Sequence, residues 1–256
     1  MIYNKGKPYL NLGQAAHGPG YTPAMTAKDT SRRVGLTPER IGACALAMTA
    51  KKGLHGWSIR DLATELDVVP SVIYHYFPTK TAVQNAVTDQ ILATVEMPDA
   101  DLPWQEWYME ILLTLRRVSL QYHGVTQNLV ERSESGHFPA DLLPLLETAI
   151  DKLTDAGFGA HVTTAHAMII NVAMGAISAR DRQSRLARRR HDIEAMRQNL
   201  AELAEQSHAV ALMRDELLTP LLSDEGQQIS EHYFRLLITS LMEGMSRTML
   251  GRGPHN

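Results

Sequence analysis

Residues 57–80 read WSIRDLATELDVVPSVIYHYFPTK. Two short helices joined by a tight turn are written there. Ser58 is a helix-capping residue, and Ile59, Leu62, Ala63 and Leu66 follow it at helical spacing. The apolar stripe stops at Leu66, and Asp67 sits where the chain must turn. Asp tolerates the left-handed conformation better than most non-glycine residues. Pro70 suits the first turn of a new helix, where its missing N–H costs nothing. Ser71 to Phe77 then make less than two turns before Pro78 ends the element. So short a helix cannot stand alone in water. It must pack with Ile73 and Phe77 inward, leaving Ser71, Val72, Tyr74 and His75 mostly outward. Small, hydroxylic and aromatic side chains on a short helix suit the major groove of DNA.

The segment resembles the DNA-binding domain of the TetR family of bacterial transcriptional regulators. The resemblance runs from about Leu36 to Val95. It rests on the apolar helix Ile41–Ala50, the Gly53 stop, Ile59-Arg60-Asp61-Leu62-Ala63, Leu66-Asp67-Val68, Ile73-Tyr74-His75-Tyr76-Phe77 and Lys80. It implies that Tyr74, Lys80 and Ser58 hold DNA phosphates. It implies equally that Pro70, Ser71, Val72 and His75 reach bases or the neighbouring backbone. Lys80 also opens a helix whose free N–H groups favour phosphate. Asp67 departs from the turn glycine usual in the family, Val69 from a capping Ser and Val72 from a Thr. Val69 leaves the recognition helix without a side-chain cap, and Val72 can instead meet a thymine methyl. Tyr76 and Phe77 are expected in the core.

Composition bounds this reading. The chain has 256 residues, 44% of them hydrophobic, and a formal charge of −3. Residues 1–96 carry ten Lys or Arg against seven Asp or Glu, so this part is +3 and the remainder −6. Only the N-terminal part suits a polyanion, and mildly. Its bias lies at Lys5, Lys7, Lys28, Arg32 and Arg33, within residues 1–35. That stretch is rich in Gly, Pro, Asn and Thr, shows no period, and reads as a flexible basic arm. Cys44, the single cysteine, excludes an internal disulfide and reads as a small buried hydrophobe. No signal peptide is apparent, which points to the cytoplasm. Residues 156–179 lack Asp, Glu, Lys and Arg. His161, His166, Asn171 and three glycines make a buried helix a better reading of them than a membrane span.

The fold expected is all-α: a three-helix helix-turn-helix domain over residues 36–96 and a helical bundle over 97–256. The first helix opens at Thr37-Pro38 and stops at Lys51-Lys52-Gly53. A fourth, from about Thr79 to Glu96, leaves the domain, and 97–103 form the boundary. Beyond it the helices expected are Trp104–His123, Val125–Arg132, Ala140–Ala156, His161–Arg180, Arg190–Gln206 and Gln227–Leu250. Arg180, Arg182, Arg185, Arg188, Arg189 and Arg190 read as a solvated connection, partly balanced by Asp181, Asp192 and Glu194.

The last helix carries Ile229, Tyr233, Leu237, Leu241, Met245 and Met249 at every fourth residue, with Phe234, Ile238 and Met242 beside them. So broad an apolar face exceeds one intramolecular surface. Ala173, Gly175 and Ala176 would let another helix approach the preceding apolar helix closely. The resemblance implies that these two helices form a four-helix homodimer interface, at Ala173, Ala176, Tyr233, Leu237, Leu241 and Met245. A two-fold dimer would read a palindrome with half-sites about 34 Å apart.

The resemblance further implies a small-molecule effector inside the helical domain that alters the spacing of the recognition helices, and repression as the default. Candidate lining residues are Trp107, Tyr108, Ile111, Tyr122, His123, Phe138, His166, Ile170 and Met174, a set suited to a flat apolar ligand. His161 and His166 are five apart and share a helix face poorly, so no metal is expected, and no other cofactor. No G-x-S-x-G, H-E-x-x-H or P-loop occurs, and Gly157-Phe158-Gly159 lacks a third glycine, so the chain does not read as an enzyme. A different class of function stays open: a helical ligand-binding or protein-interaction module with weak or no specific DNA binding. Salt-sensitive binding to duplex DNA separates the two.

Overall fold

The computed structural model describes residues 35–187, 190–223 and 225–250, without the side chains of 185–187 and 190–193. The basic arm expected before residue 35 and Arg188 and Arg189 of the arginine run lie outside the described residues, as do the side chains of Arg185 and Arg190. From Thr37 onward the chain forms one unit, and all its regular elements are helical among the described residues.

Each early helix starts where a side chain can satisfy its free amides. Helix α1 (Pro38–Lys52) is capped by Thr37, whose side chain accepts from the Arg40 amide. Helix α2 (Ile59–Glu65) begins with a reciprocal capping box between Ser58 and Asp61. Helix α3 (Pro70–Tyr76) has Pro at its first position and no side-chain cap at Val69. Asp67 takes a φ of 52° in the turn before it. Thr79 caps α4 (Lys80–Leu92) through the Ala82 amide, and α4 ends four residues before the expected Glu96. Ile41, Ala45, Leu54, Leu62, Ile73, Val83 and Val87 are fully buried where these helices meet. Trp57 is pinned among them, its indole N–H donating to the Thr49 hydroxyl at 2.9 Å. Tyr76 and Phe77 are only half-buried. Cys44 is half-buried too, and desolvation pushes its thiol up.

The bundle comprises α5 (Trp104–Gln121), α6 (Val125–Glu134), α7 (Leu143–Asp155), α8 (Val162–Ala187), α9 (Arg190–Gln206) and α12 (Gly226–Met249). Single 3₁₀ turns at Ala140–Leu142 and Gly159–His161 lead into α7 and α8. Sequence reading did not foresee α10 (His208–Leu212), the π turn Met213–Leu218 and α11 (Thr219–Leu221), because their apolar residues follow no single period. The core joins Trp107, Tyr108 and Leu112 of α5, Leu153 of α7, Ala165, Ile169, Ala173 and Ile177 of α8, and Phe234, Ile238, Met242 and Met245 of α12. Helix α8 is long and apolar enough to cross a membrane by length and composition. Its inner stripe is fully buried in this core, which accounts for its apolarity.

Two expectations are corrected by the core. Ala173 and Met245, expected on the dimer face, lie inside the protomer at 0% and 2% exposure. The cause for Met245 is helical pitch. With about 3.6 residues per turn, a row of every fourth residue rotates by about 40° per step. Tyr233 and Met245 therefore diverge by about 120° along α12, and Met245 joins the inward stripe instead. The arginine run is likewise no simple connection. Helix α8 carries it on to Ala187, and Asp181 is buried rather than solvated.

Candidate DNA-binding surface and effector cavity

The outer face of α3 carries Ser71, Tyr74 and His75, all exposed and spaced i, i+3, i+4, so they share one side of the helix. Val72 and Pro70 are half-buried at its edge. The His75 ring meets Tyr76 edge-on with centroids 5.4 Å apart, which orients the imidazole outward without burying it. Ile73, fully buried, anchors the helix from behind.

A second group flanks α3. The Lys80 ammonium lies over the Trp57 ring, 5.2 Å from its centroid. That contact holds the cation at the start of α4 beside the start of α2. The Ser58 hydroxyl accepts from the Asp61 amide at 3.1 Å and donates to the Asp61 carboxylate at 2.8 Å. The Asp61 carboxyl is held below its usual range by the Ser58 hydroxyl, then by the Ser58 amide, with smaller help from Lys52 and Lys80. Lys51, Lys52 and Arg60 are exposed nearby in sequence. Of the seven residues expected to meet DNA, Ser58, Pro70, Ser71, Val72 and Lys80 sit at helix starts, and Tyr74 and His75 lie in the last turn of α3. Ser58 and Lys80 converge, and Ser71, Tyr74 and His75 form a face.

The helical bundle carries a cavity of about 230 Å³ between α5, α6, α7 and α8, open to solvent on one side. Of the expected lining, Trp107, Tyr108, Ile111, Phe138, His166, Ile170 and Met174 are present. Leu112, Leu115, Leu129, Leu142, Leu145 and Leu146 add to it, with Val130 and Ala149 and the exposed Ser133, Glu134 and Asn171. Sequence reading passed over these leucines because a cavity-lining leucine and a core leucine look alike. Tyr122 and His123 do not line it. Helix α5 ends at Gln121, Tyr122 caps it, and His123 turns away toward Asp181.

Polar groups are few in this cavity. The Tyr108 hydroxyl donates to the Ala149 carbonyl at 3.0 Å and lies 2.9 Å from His166 Nδ1. The hydroxyl proton is committed to the carbonyl, so Nδ1–H donates to the phenol oxygen. His166 then keeps an acceptor lone pair on Nε2. Burial pushes the His166 imidazole below its usual value and the Tyr108 phenol well above its own, so both stay neutral. Trp107 is 1% exposed and its indole N–H has no hydrogen-bond partner.

His123 has a different place. Its Nδ1 donates to the Asp181 carboxylate, whose other oxygen accepts from the Gly124 amide at 3.1 Å. The His123 carbonyl accepts from the Leu54 amide at 2.8 Å. The Gln84 side-chain amide donates to the Leu54 carbonyl at 2.9 Å. Arg132 of α6 pairs with Asp89 of α4 at 2.7 Å, and the Thr88 hydroxyl donates to Asn128 at 2.8 Å. The one sequence signal for this junction was Asp181, the first carboxylate after a long uncharged stretch.

Comparison with known proteins finds relatives of the helix-turn-helix segment and neighbours of the whole fold. Residues 42–87 match the sequence model of the bacterial regulatory proteins of the tetR family. An HTH-type transcriptional regulator of Saccharopolyspora erythraea is 27% identical over 163 residues, 63% of this chain and 68% of that protein. BioQ, solved with its natural double-stranded DNA operator, is 28% identical with a TM-score of 0.50, over 57% of this chain and 88% of that one. ActR of Streptomyces coelicolor, solved with actinorhodin, shares the fold at 20% identity and a TM-score of 0.62, over 82% of this chain and 97% of that one. The helix-turn-helix match, the regulator homologue and the shared two-part helical fold make the chain similar to the TetR family of bacterial regulatory proteins.

Proposed function

We propose that the protein is a cytoplasmic, effector-released transcriptional repressor that binds a palindromic operator as a homodimer. The observation that carries this reading is the exposed Ser71–Tyr74–His75 face of α3, flanked by the Lys80 ammonium at a helix start. The S. erythraea regulator and operator-bound BioQ support the DNA half. The apolar cavity in the bundle supports the effector half, and ActR with its bound actinorhodin offers a precedent in the same fold. The exposed Tyr233 and the half-buried Leu237 of α12 line one groove with Gly175 and Ala176 of α8, and we read this groove, with Leu241 one turn on, as the self-association face. No catalytic role is assigned to any residue.

The test is binding of the purified protein to its own upstream DNA against a scrambled duplex across a salt series. Tight binding to the upstream duplex with a steep salt slope is the expected result. Equal, weak binding to both duplexes would overturn the reading and leave the helical domain as the working part.

A further inference from the structure

We infer that the bundle cavity takes an uncharged aromatic compound of one or two rings bearing at least one hydroxyl group, because its walls are largely apolar and carry a buried unpaired donor, the Trp107 indole N–H, and an acceptor, Nε2 of the half-buried His166. The inference rests on reading the cavity as the effector site.

Size sets the first limit. An apolar cavity of about 150 Å³ holds one benzene. At about 230 Å³ this one has room for a substituted single ring or two fused rings. The walls set the second. Ile111, Leu115, Leu129, Ile170 and Met174 face the space, and no Lys or Arg lines it. An anion would lose its hydration there with nothing to replace it. Glu134 is the single carboxylate on the lining, and it is exposed, so it offers a cation only a solvent-screened partner.

The third limit is the pattern of hydrogen bonding. Trp107, buried on the lining, has an indole N–H without a partner, which calls for an acceptor. His166 Nδ1 is committed to the Tyr108 oxygen, so Nε2 calls for a donor. A hydroxyl is the smallest group that supplies both. A site built to bond a hydroxyl rejects an analogue lacking one far more strongly than an apolar site rejects a changed methylene.

The test is calorimetric titration of the full chain with 1-naphthol, 1-methoxynaphthalene, 1-naphthoate and 1-naphthylmethylamine. 1-Naphthol is expected to bind at least about tenfold more tightly than the methyl ether, which keeps the acceptor and loses the donor. The carboxylate and the ammonium compound are expected to bind more weakly than either. His166→Phe should erase the preference for naphthol while methoxynaphthalene still binds, and His166→Gln should restore it. Trp107→Phe should weaken both neutral compounds. Equal affinity for naphthol and its ether, tighter binding of either ion, or no binding of any compound would overturn the inference. The wild-type series alone decides the matter should the variants fail to fold. Release of the DNA complex is read separately. Binding of naphthol without release would remove the effector reading and leave the ligand class standing, whereas release by naphthoate alone would do the reverse.

Discussion

The Leu54 amide donates to the His123 carbonyl at 2.8 Å, and this bond joins the α1–α2 loop to the α5–α6 turn. The turn is itself held by Asp181, which accepts from the His123 ring and from the Gly124 amide. Asp181 lies on α8 seven residues beyond Met174 of the cavity lining, about 10 Å further along the axis. A displacement of α8 at the cavity therefore has a continuous, hydrogen-bonded route to the loop that packs behind the DNA-reading helices.

Asp181→Ala would leave two buried donors unpaired, the His123 imidazole and the Gly124 amide. The expected cost is about 3 kcal/mol, read as a lower urea midpoint at constant m-value. Operator affinity at low denaturant should persist, while release by an effector should be blunted. A variant as stable as wild type would show that the pair contributes nothing to holding the turn.

Gly53 sits at φ 78° and ψ 164°, a conformation that side chains avoid, and a Cβ there would meet the His123 Cβ at 3.2 Å. Gly53→Ala is expected to cost about 2 to 3 kcal/mol, from backbone strain and from pressure on the same turn. Gly136→Ala is a control for positive φ alone, since its φ is 74° and nothing lies within 4 Å of the added Cβ. Equal losses of thermal stability in the two variants would remove the contact with His123 from the account.

On α12, Leu237 is only half-buried and lies beside Tyr233, which is 49% exposed. Leu237→Glu should leave the helical circular dichroism intact and halve the mass found by sedimentation, with operator binding lost alongside. A variant that stays dimeric would move the interface elsewhere.

The DNA-reading domain was legible because its signals are local. Ser58 at the cap, Asp67 in the turn and Pro70 at the helix start each act within four residues, and each stands where the sequence placed it. Most long helices of the bundle were legible from apolar spacing, but α8 runs seven residues past its expected end at Arg180, and α10, the π turn and α11 were not foreseen. Facing was not legible. An every-fourth row looks like one stripe in sequence, yet it winds around the helix, and so Met245 was placed outside; Ala173 was placed there for its small side chain, which serves close packing within the protomer equally well. The cavity lining was half legible, since aromatic and His residues stand out and leucines do not. The Leu54–His123–Asp181 junction was hidden because its partners are 58 or more residues apart in two of its bonds and one partner is a backbone carbonyl.

Tyr74 is 48% exposed, so removing its ring costs the fold little. Tyr74→Ala should change stability by no more than about 0.5 kcal/mol and weaken DNA binding about tenfold, similarly for all duplexes if the contact is to phosphate. Lys80→Gln should lower the slope of log affinity against log salt by about one. Unchanged binding in Tyr74→Ala would withdraw that residue from the DNA surface.

His166 gives the protein a pH dependence whose sign follows from its burial. Burial holds the folded imidazole below its usual value, so the unfolded chain binds a proton more readily than the folded one. Stability then rises with pH wherever the unfolded state holds more protons. The contribution is fully present above the unfolded value, about 6.5, and is lost as pH falls from there through the folded value. His166→Gln keeps a donor toward Tyr108 and does not titrate, so other groups cancel in the comparison. The gap in urea midpoint between wild type and variant should move against wild type as pH falls below about 6.5 and stay constant above it. A gap that is flat through this range would remove burial of the imidazole from the account, and one that favours wild type in acid would mean that the folded protein holds the proton more tightly than the unfolded chain, leaving Nε2 a donor at the acid end rather than the acceptor that selects a hydroxyl.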